Sequence, residues 1–346
     1  MRLSTVDVVG ILADNLERRG SVLPIPARAA TGWARGLALP RGGPRVLYTG
    51  AMYQLIPYIE RVVRLEQRIA DTPLARLSGL ARRVNRVVNA IGLVARPSAA
   101  ERRDYDAVPA NVARLLQRAG VEFGSLYEDD LYAGALAYDL GADEVVAAHA
   151  RRVARIFERY GVREVITIDP HTTTMLRSIY PRLVPGYDVS VRTYLEVLAA
   201  AATGSPRAVE NEVVIHDSCV FARAEGVLEA PRELLAAAGL RVLEPVHSRA
   251  RTWCCGGPVE SLDADKAAQV AAARVAQLRE VGTACVTMCP LCLINLRKAA
   301  GDTLSVRDIS EYLIGAAQPD ASPERPPQPA RSATVRLASS EMREGS

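Results

Sequence analysis

All six cysteines of this 346-residue chain, Cys219, Cys254, Cys255, Cys285, Cys289 and Cys292, lie in its second half. They form a single thiol, an adjacent pair followed by Gly256-Gly257, and a Cys289-Pro290-Leu291-Cys292 loop, with Cys285 just upstream. Soft thiolates at this density select zinc, copper(I) or iron–sulfur clusters. Tetrahedral zinc takes four ligands, and a cubane [4Fe–4S] cluster takes four cysteines. Setting Cys285 aside, the five thiols exceed both counts. Disulfides are a third reading; they suit an oxidising compartment, and one joining the neighbours Cys254 and Cys255 is awkward. Adjacent residues of a strand point to opposite faces. The Cys254-Cys255 pair can therefore serve one site only where the backbone turns, and Gly256 and Gly257 supply that turn. Pro290 stiffens the Cys-x-x-Cys loop. Cys292 opens a helix, whose N-terminal partial charge favours thiolate.

The elements that must position these thiols read as strand alternating with helix. In the second half, a strand at Glu212–His216 leads to Asp217-Ser218-Cys219. A helix near Ala230–Ala238 and a strand at Arg241–Val246 lead to Trp253-Cys254-Cys255. A long helix near Ala264–Val281 and a strand at Ala284–Thr287 lead to Cys289. The first half repeats this order: strand Arg45–Tyr48, helix Ala110–Ala119, strand Val121–Leu126, helix Ala142–Tyr160, strand Glu164–Ile168. Asp169-Pro170-His171-Thr172 stands where the second half has Cys289-Pro290-Leu291-Cys292, and Ser190-Val191-Arg192 matches Ser305-Val306-Arg307. The fold class expected is α/β: two tandem, duplicated units with mostly parallel sheets. Ligands of such sheets bind beyond the carboxyl ends of the strands, where five of the six cysteines fall.

The pattern Cys219…Cys254-Cys255-Gly256…Cys289-Pro290-Leu291-Cys292 resembles the CCG, or cysteine-rich, domain, over about residues 45–315. That domain typifies subunits B and D of heterodisulfide reductases. It recurs in iron–sulfur subunits of glycolate, lactate and glycerol-3-phosphate dehydrogenases. The resemblance implies a non-cubane [4Fe–4S] cluster on Cys219, Cys254, Cys255, Cys289 and Cys292, and electron transfer that can end in reductive cleavage, or formation, of a disulfide. The alternatives are the electron-accepting subunit of a flavin-dependent glycolate- or lactate-type dehydrogenase, and a zinc-stabilised scaffold without redox chemistry. At the matching positions the first half has Ala51, Tyr132, Ala133, Asp169 and Thr172, so it is expected to be a degenerate, cluster-free copy. No ferredoxin-type cysteine run occurs in the chain. Electrons are therefore expected from a partner, a ferredoxin-like iron–sulfur subunit or a flavoprotein.

His216, three residues before Cys219, is a candidate hydrogen-bond or proton donor at the cluster. His171 is weighed as a lone ligand, a proton carrier or neither, Cys285 as a buried apolar residue, and Trp253 as a shield against water. The boundaries expected are an N-terminal helix (about Thr5–Arg19) and wrap over 1–44, the degenerate unit over 45–203 with an insertion near 65–108, the intact unit over 204–315, and a disordered tail over 316–346. Within the insertion, Leu74, Leu77, Leu80, Val84, Val87, Ile91 and Val94 recur at helical spacing. This basic helix near 73–95 packs on its own unit, docks a partner or touches an anionic membrane surface.

The net charge is +4, but 41 of the 43 basic residues are arginine and no nucleic-acid-binding signature is present, so no nucleic-acid partner is expected. No run approaches the ~20 apolar residues of a membrane span. The N-terminus shows neither an apolar h-region nor a cleavage site, and a cytoplasmic location is expected.

Overall fold

A computed structural model describes residues 5–69, 97–201, 211–257 and 263–316. The first sheet comprises β1 (Arg45–Tyr48), β2 (Gly124–Ser125), β3 (Glu164–Thr167) and β4 (Ser190–Thr193). The second comprises β5 (Asn211–Ile215), β6 (Leu240–Leu243), β7 (Ala284–Thr287) and β8 (Ser305–Asp308). The strand orders are β2-β1-β3-β4 and β6-β5-β7-β8, and every pairing is parallel. The two halves therefore share one topology, the α/β duplication expected from the sequence. The strands are short apolar runs such as Arg-Val-Leu-Tyr and Ala-Cys-Val-Thr, buried on both faces as helix-covered parallel sheets require.

Each chain order leaves its first strand in one direction and returns in the other. The reversal falls beside β1 in one sheet and beside β5 in the other, opening a crevice at the carboxyl ends of β5 and β7. That crevice receives the cysteine loops.

The halves pack on each other reciprocally. Helix Tyr194–Ala201 of the first packs on helix Glu229–Ala237 of the second, and helix Ile309–Ala316 of the second packs on helix Ala99–Arg118 of the first. Likewise, helix Pro290–Ala300 meets helix Met52–Ile69, while the short helix Pro170–Thr174 meets the turn Phe221–Glu225. Such mutual exchange of equivalent surfaces is the pattern of a two-fold interface. One apolar core runs through both sheets, joining Leu47 and Ile166 to Val213, Val214 and Val286. A buried hydrogen bond crosses it, Tyr53 Oη donating to Asp308 Oδ2 at 2.6 Å.

Several boundaries differ from expectation. The helix expected from Ala110 begins at Ala99, because Ser98 and Glu101 form a reciprocal capping box and Pro109 is accommodated inside the helix. Residues 65–69 continue the helix from Met52, so both ends of the expected insertion belong to helices of the first half that pack on each other. The second strand of each sheet is shorter than expected; Val246 lies outside β6 and is 82% exposed. The helix near 73–95 and all but the first residue of the tail over 316–346 lie outside the described residues.

Candidate metal centre

Three loops deliver thiols to the crevice. After β5 the chain runs through His216-Asp217-Ser218 to Cys219. After β7, Cys289 caps a helix whose first residue is Pro290, and Cys292 lies in its first turn. The Trp253–Gly257 loop turns at Gly256, where φ is +82°. A Cβ there would sit 2.5 Å from the backbone oxygen of Ala267, so only glycine fits. Gly256 N–H in turn donates to Cys254 Sγ at 3.3 Å.

Five thiols form a continuous chain of contacts. Cys219 touches Cys254, Cys254 touches Cys255, Cys255 touches Cys292, and Cys292 touches Cys289. Cys255, Cys289 and Cys292 are buried, whereas Cys219 and Cys254 are partly open. Ligand atoms of His216, Cys255 and Cys292 lie within 4.8 Å of one another. Hydrogen bonds from Cys219 and Cys255, helped by Gly256 N–H, pull Cys254 down and favour its thiolate. Burial opposes ionisation of Cys289, but bonds from Cys292 and His171 pull it well below the usual thiol range. Cys285 stands apart on β7, with burial pushing it up to about 12, and it packs in the apolar core.

The scaffold around these loops is ionic. Asp217 accepts two bonds from Arg232, each 2.9 Å, and one from the backbone N–H of Arg249 at 2.7 Å. Its backbone oxygen accepts from Thr252 Oγ1 at 3.0 Å. Asp217 thus ties the Cys219 loop to the segment that leads into Cys254 and Cys255.

Arg274, fully buried, donates from Nε to His216 Nδ1 at 3.0 Å and from Nη1 to His247 O at 2.9 Å. A guanidinium cannot accept. His216 Nδ1 is therefore the acceptor, and in the neutral ring Nε2 carries the proton. Burial and the Arg274 charge push His216 down to about 3, which keeps it neutral. Its Nε2 is buried without a partner among the described residues.

Sequence reasoning missed Arg274 and Asp217. A signal existed for the first: Ala267, Ala271, Arg274, Val275 and Leu278 share one buried helical stripe, so the arginine stood on a core face. Trp253 corrects another expectation. It is 43% exposed and packs edge-on against His247 at 4.6 Å, so it forms rim rather than shield.

The first half has no thiol at the matching positions. Thr49 and Gly50 instead donate to Asp130 at 2.8–2.9 Å, and Thr172 N–H donates to Asp169 Oδ1 at 2.9 Å. Asp169 Oδ2 and Thr172 Oγ1 are buried without partners among the described residues. His171 is buried and its side chain lies beside Cys289 of the other half. Burial works against its charge, but Cys289, Asp169 and Asp139 raise it to about 9.

Comparison with known proteins matches residues 96–177 and 213–297 to the family described as "CCG: Cysteine-rich domain". An EtfAB:quinone oxidoreductase of Syntrophomonas wolfei is 33% identical over 44% of this chain and 22% of its own length. A probable iron-sulfur-binding oxidoreductase, FadF, of Bacillus subtilis is 28% identical over 60% of this chain and 31% of its own. One of the subunits of a dihydromethanophenazine:CoB–CoM heterodisulfide reductase of Methanosarcina barkeri is 25% identical over 59% of this chain and 54% of its own. The chain thus spans between about a fifth and a half of the length of these relatives. No described helix is long and apolar enough to cross a membrane.

Proposed function

We propose, on the premise that each half of the chain matches the cysteine-rich domain family, that it is an iron–sulfur electron-transfer subunit of an oxidoreductase complex. The observation that carries this reading is the unbroken chain of five thiols at the carboxyl ends of β5 and β7. The residues fit the group. Five thiols exceed a tetrahedral zinc site, two are already biased toward thiolate, and the orphaned Nε2–H of His216 stands beside Cys255 and Cys292. Cys219, Cys254, Cys255, Cys289 and Cys292 would hold a [4Fe–4S] cluster, and their number favours the non-cubane form. When bound, such a cluster supplies one-electron redox chemistry.

The chain's own residues set the surroundings. Gly256 N–H donates to Cys254 Sγ, and His216, its tautomer fixed by Arg274, presents Nε2–H to the buried side of the site. Cys219 and Cys254 lie on the open side, where an electron partner or a substrate disulfide would approach. Partners of the kind expected from the sequence, a ferredoxin-like subunit or a flavoprotein, would bring the electrons. If a disulfide is the acceptor, R–S–S–R′ takes two electrons and two protons to give two thiols, the electrons arriving singly from the partner.

Anaerobically reconstituted protein titrated with dithionite tests this. One paramagnetic signal, appearing or vanishing with one electron per chain, is expected, and adding an organic disulfide should alter its line shape. No redox-dependent signal at full metal content would contradict electron transfer. A signal indifferent to disulfide would leave electron transfer and exclude the disulfide as acceptor.

A further inference from the structure

The cluster-free half reaches into the site of the other. Helix Pro170–Thr174 begins with Asp169 as its cap and Pro170 at its first position. It docks on the turn Phe221–Glu225, which begins two residues after Cys219. Glu225 anchors the contact: its side chain is 1% exposed, and Oε1 accepts from Thr174 Oγ1 at 2.7 Å and from Ser178 Oγ at 3.2 Å. Arg177 adds an ion pair at 3.6 Å. So held, His171 is 8% exposed and its ring lies within side-chain reach of Cys289. By position in the repeat its counterpart is Leu291, which has no polar group to offer. The contact is therefore one-directional, with the thiol-free half donating and the thiol-bearing half accepting.

We propose that His171 is a positioning residue through which the first half sets the reduction potential of the centre in the second, by donating an N–H to the sulfur of Cys289. The inference rests on the iron–sulfur reading above. A donor to a ligand sulfur offsets the extra negative charge of the reduced state and raises the potential. One hydrogen bond of typical net strength is worth up to about tenfold in the reduction equilibrium, or about 59 mV for one electron.

The test is a redox titration of the reconstituted full-length chain and two variants, followed by EPR, with iron counted in each. His171→Leu removes the donor and copies the counterpart residue. His171→Gln keeps an N–H on a side chain of similar reach. We expect full iron in both, a potential lowered by up to about tenfold in the reduction equilibrium in His171→Leu, and at least half of that shift recovered in His171→Gln. An unchanged potential in iron-loaded His171→Leu overturns the proposal. Loss of iron from both variants with the fold intact also overturns it, assigning His171 to holding the cluster. Absence of iron from the unaltered chain would instead overturn the iron–sulfur reading itself, so the two failures are distinguishable.

Discussion

Cys255→Ser is expected to lose most of the iron of the reconstituted protein, whereas Cys285→Ser keeps it. Both thiols are buried in the second half, so burial alone does not separate them. Contact does. Cys255 lies between Cys254 and Cys292 in the chain of thiols, and Gly257 packs so closely that an added Cβ would sit 3.4 Å from its Sγ. Cys285 points instead into the core beside β5, where Val214 is its pairing neighbour. Serine replaces a thiolate ligand with a hydroxyl that does not ionise at neutral pH, and iron–sulfur clusters are held by thiolates. Iron and sulfide analysis of both variants beside the unaltered protein checks this. A fully loaded Cys255→Ser protein would refute the five-thiol site; iron loss on Cys285→Ser would place a sixth thiol in it.

Arg232→Met should destabilise the chain by about 3–5 kcal/mol, the usual cost of stripping one partner from a buried ion pair. Arg232 is 8% exposed and Asp217 is 2% exposed. Without the guanidinium, Asp217 keeps, among the described residues, only the N–H of Arg249 for its charged oxygens. Asp217 also fixes the Cys219 loop against the segment before Cys254, so the variant should hold its metal less tightly as well. The double variant Asp217→Leu/Arg232→Met removes the stranded charge and should regain stability over the single variant. Urea unfolding of the metal-free proteins reads both effects. A single variant within about 0.5 kcal/mol of the parent, the range of ordinary surface substitutions, would contradict the structural role given to this pair.

What is legible in the sequence is what the chain writes locally. Strands β1 and β7 run over the residues their apolar patterns imply, and the equivalence of Asp169-Pro170 with Cys289-Pro290 is visible in one dimension because each pair starts a helix after a strand. Pro109 obscures the start of its helix, since a proline inside a helix is normally excluded, while the Ser98–Glu101 capping box marks the true start. The contribution of His171 is a different matter. Its role as a neighbour of Cys289 depends on the reciprocal packing of the halves, and nothing near residue 171 in the chain encodes which surface it will meet. Asp217 and Arg232 are likewise joined only by the fold, fifteen positions apart across a loop and a helix.

Metal and sulfide analysis of the unaltered chain, purified without oxygen, tests the iron–sulfur assignment most directly. We expect about four irons and about four sulfides per chain, with zinc well below one. A colourless protein carrying one zinc and no sulfide would contradict the assignment and would make the five-thiol crevice a structural metal site.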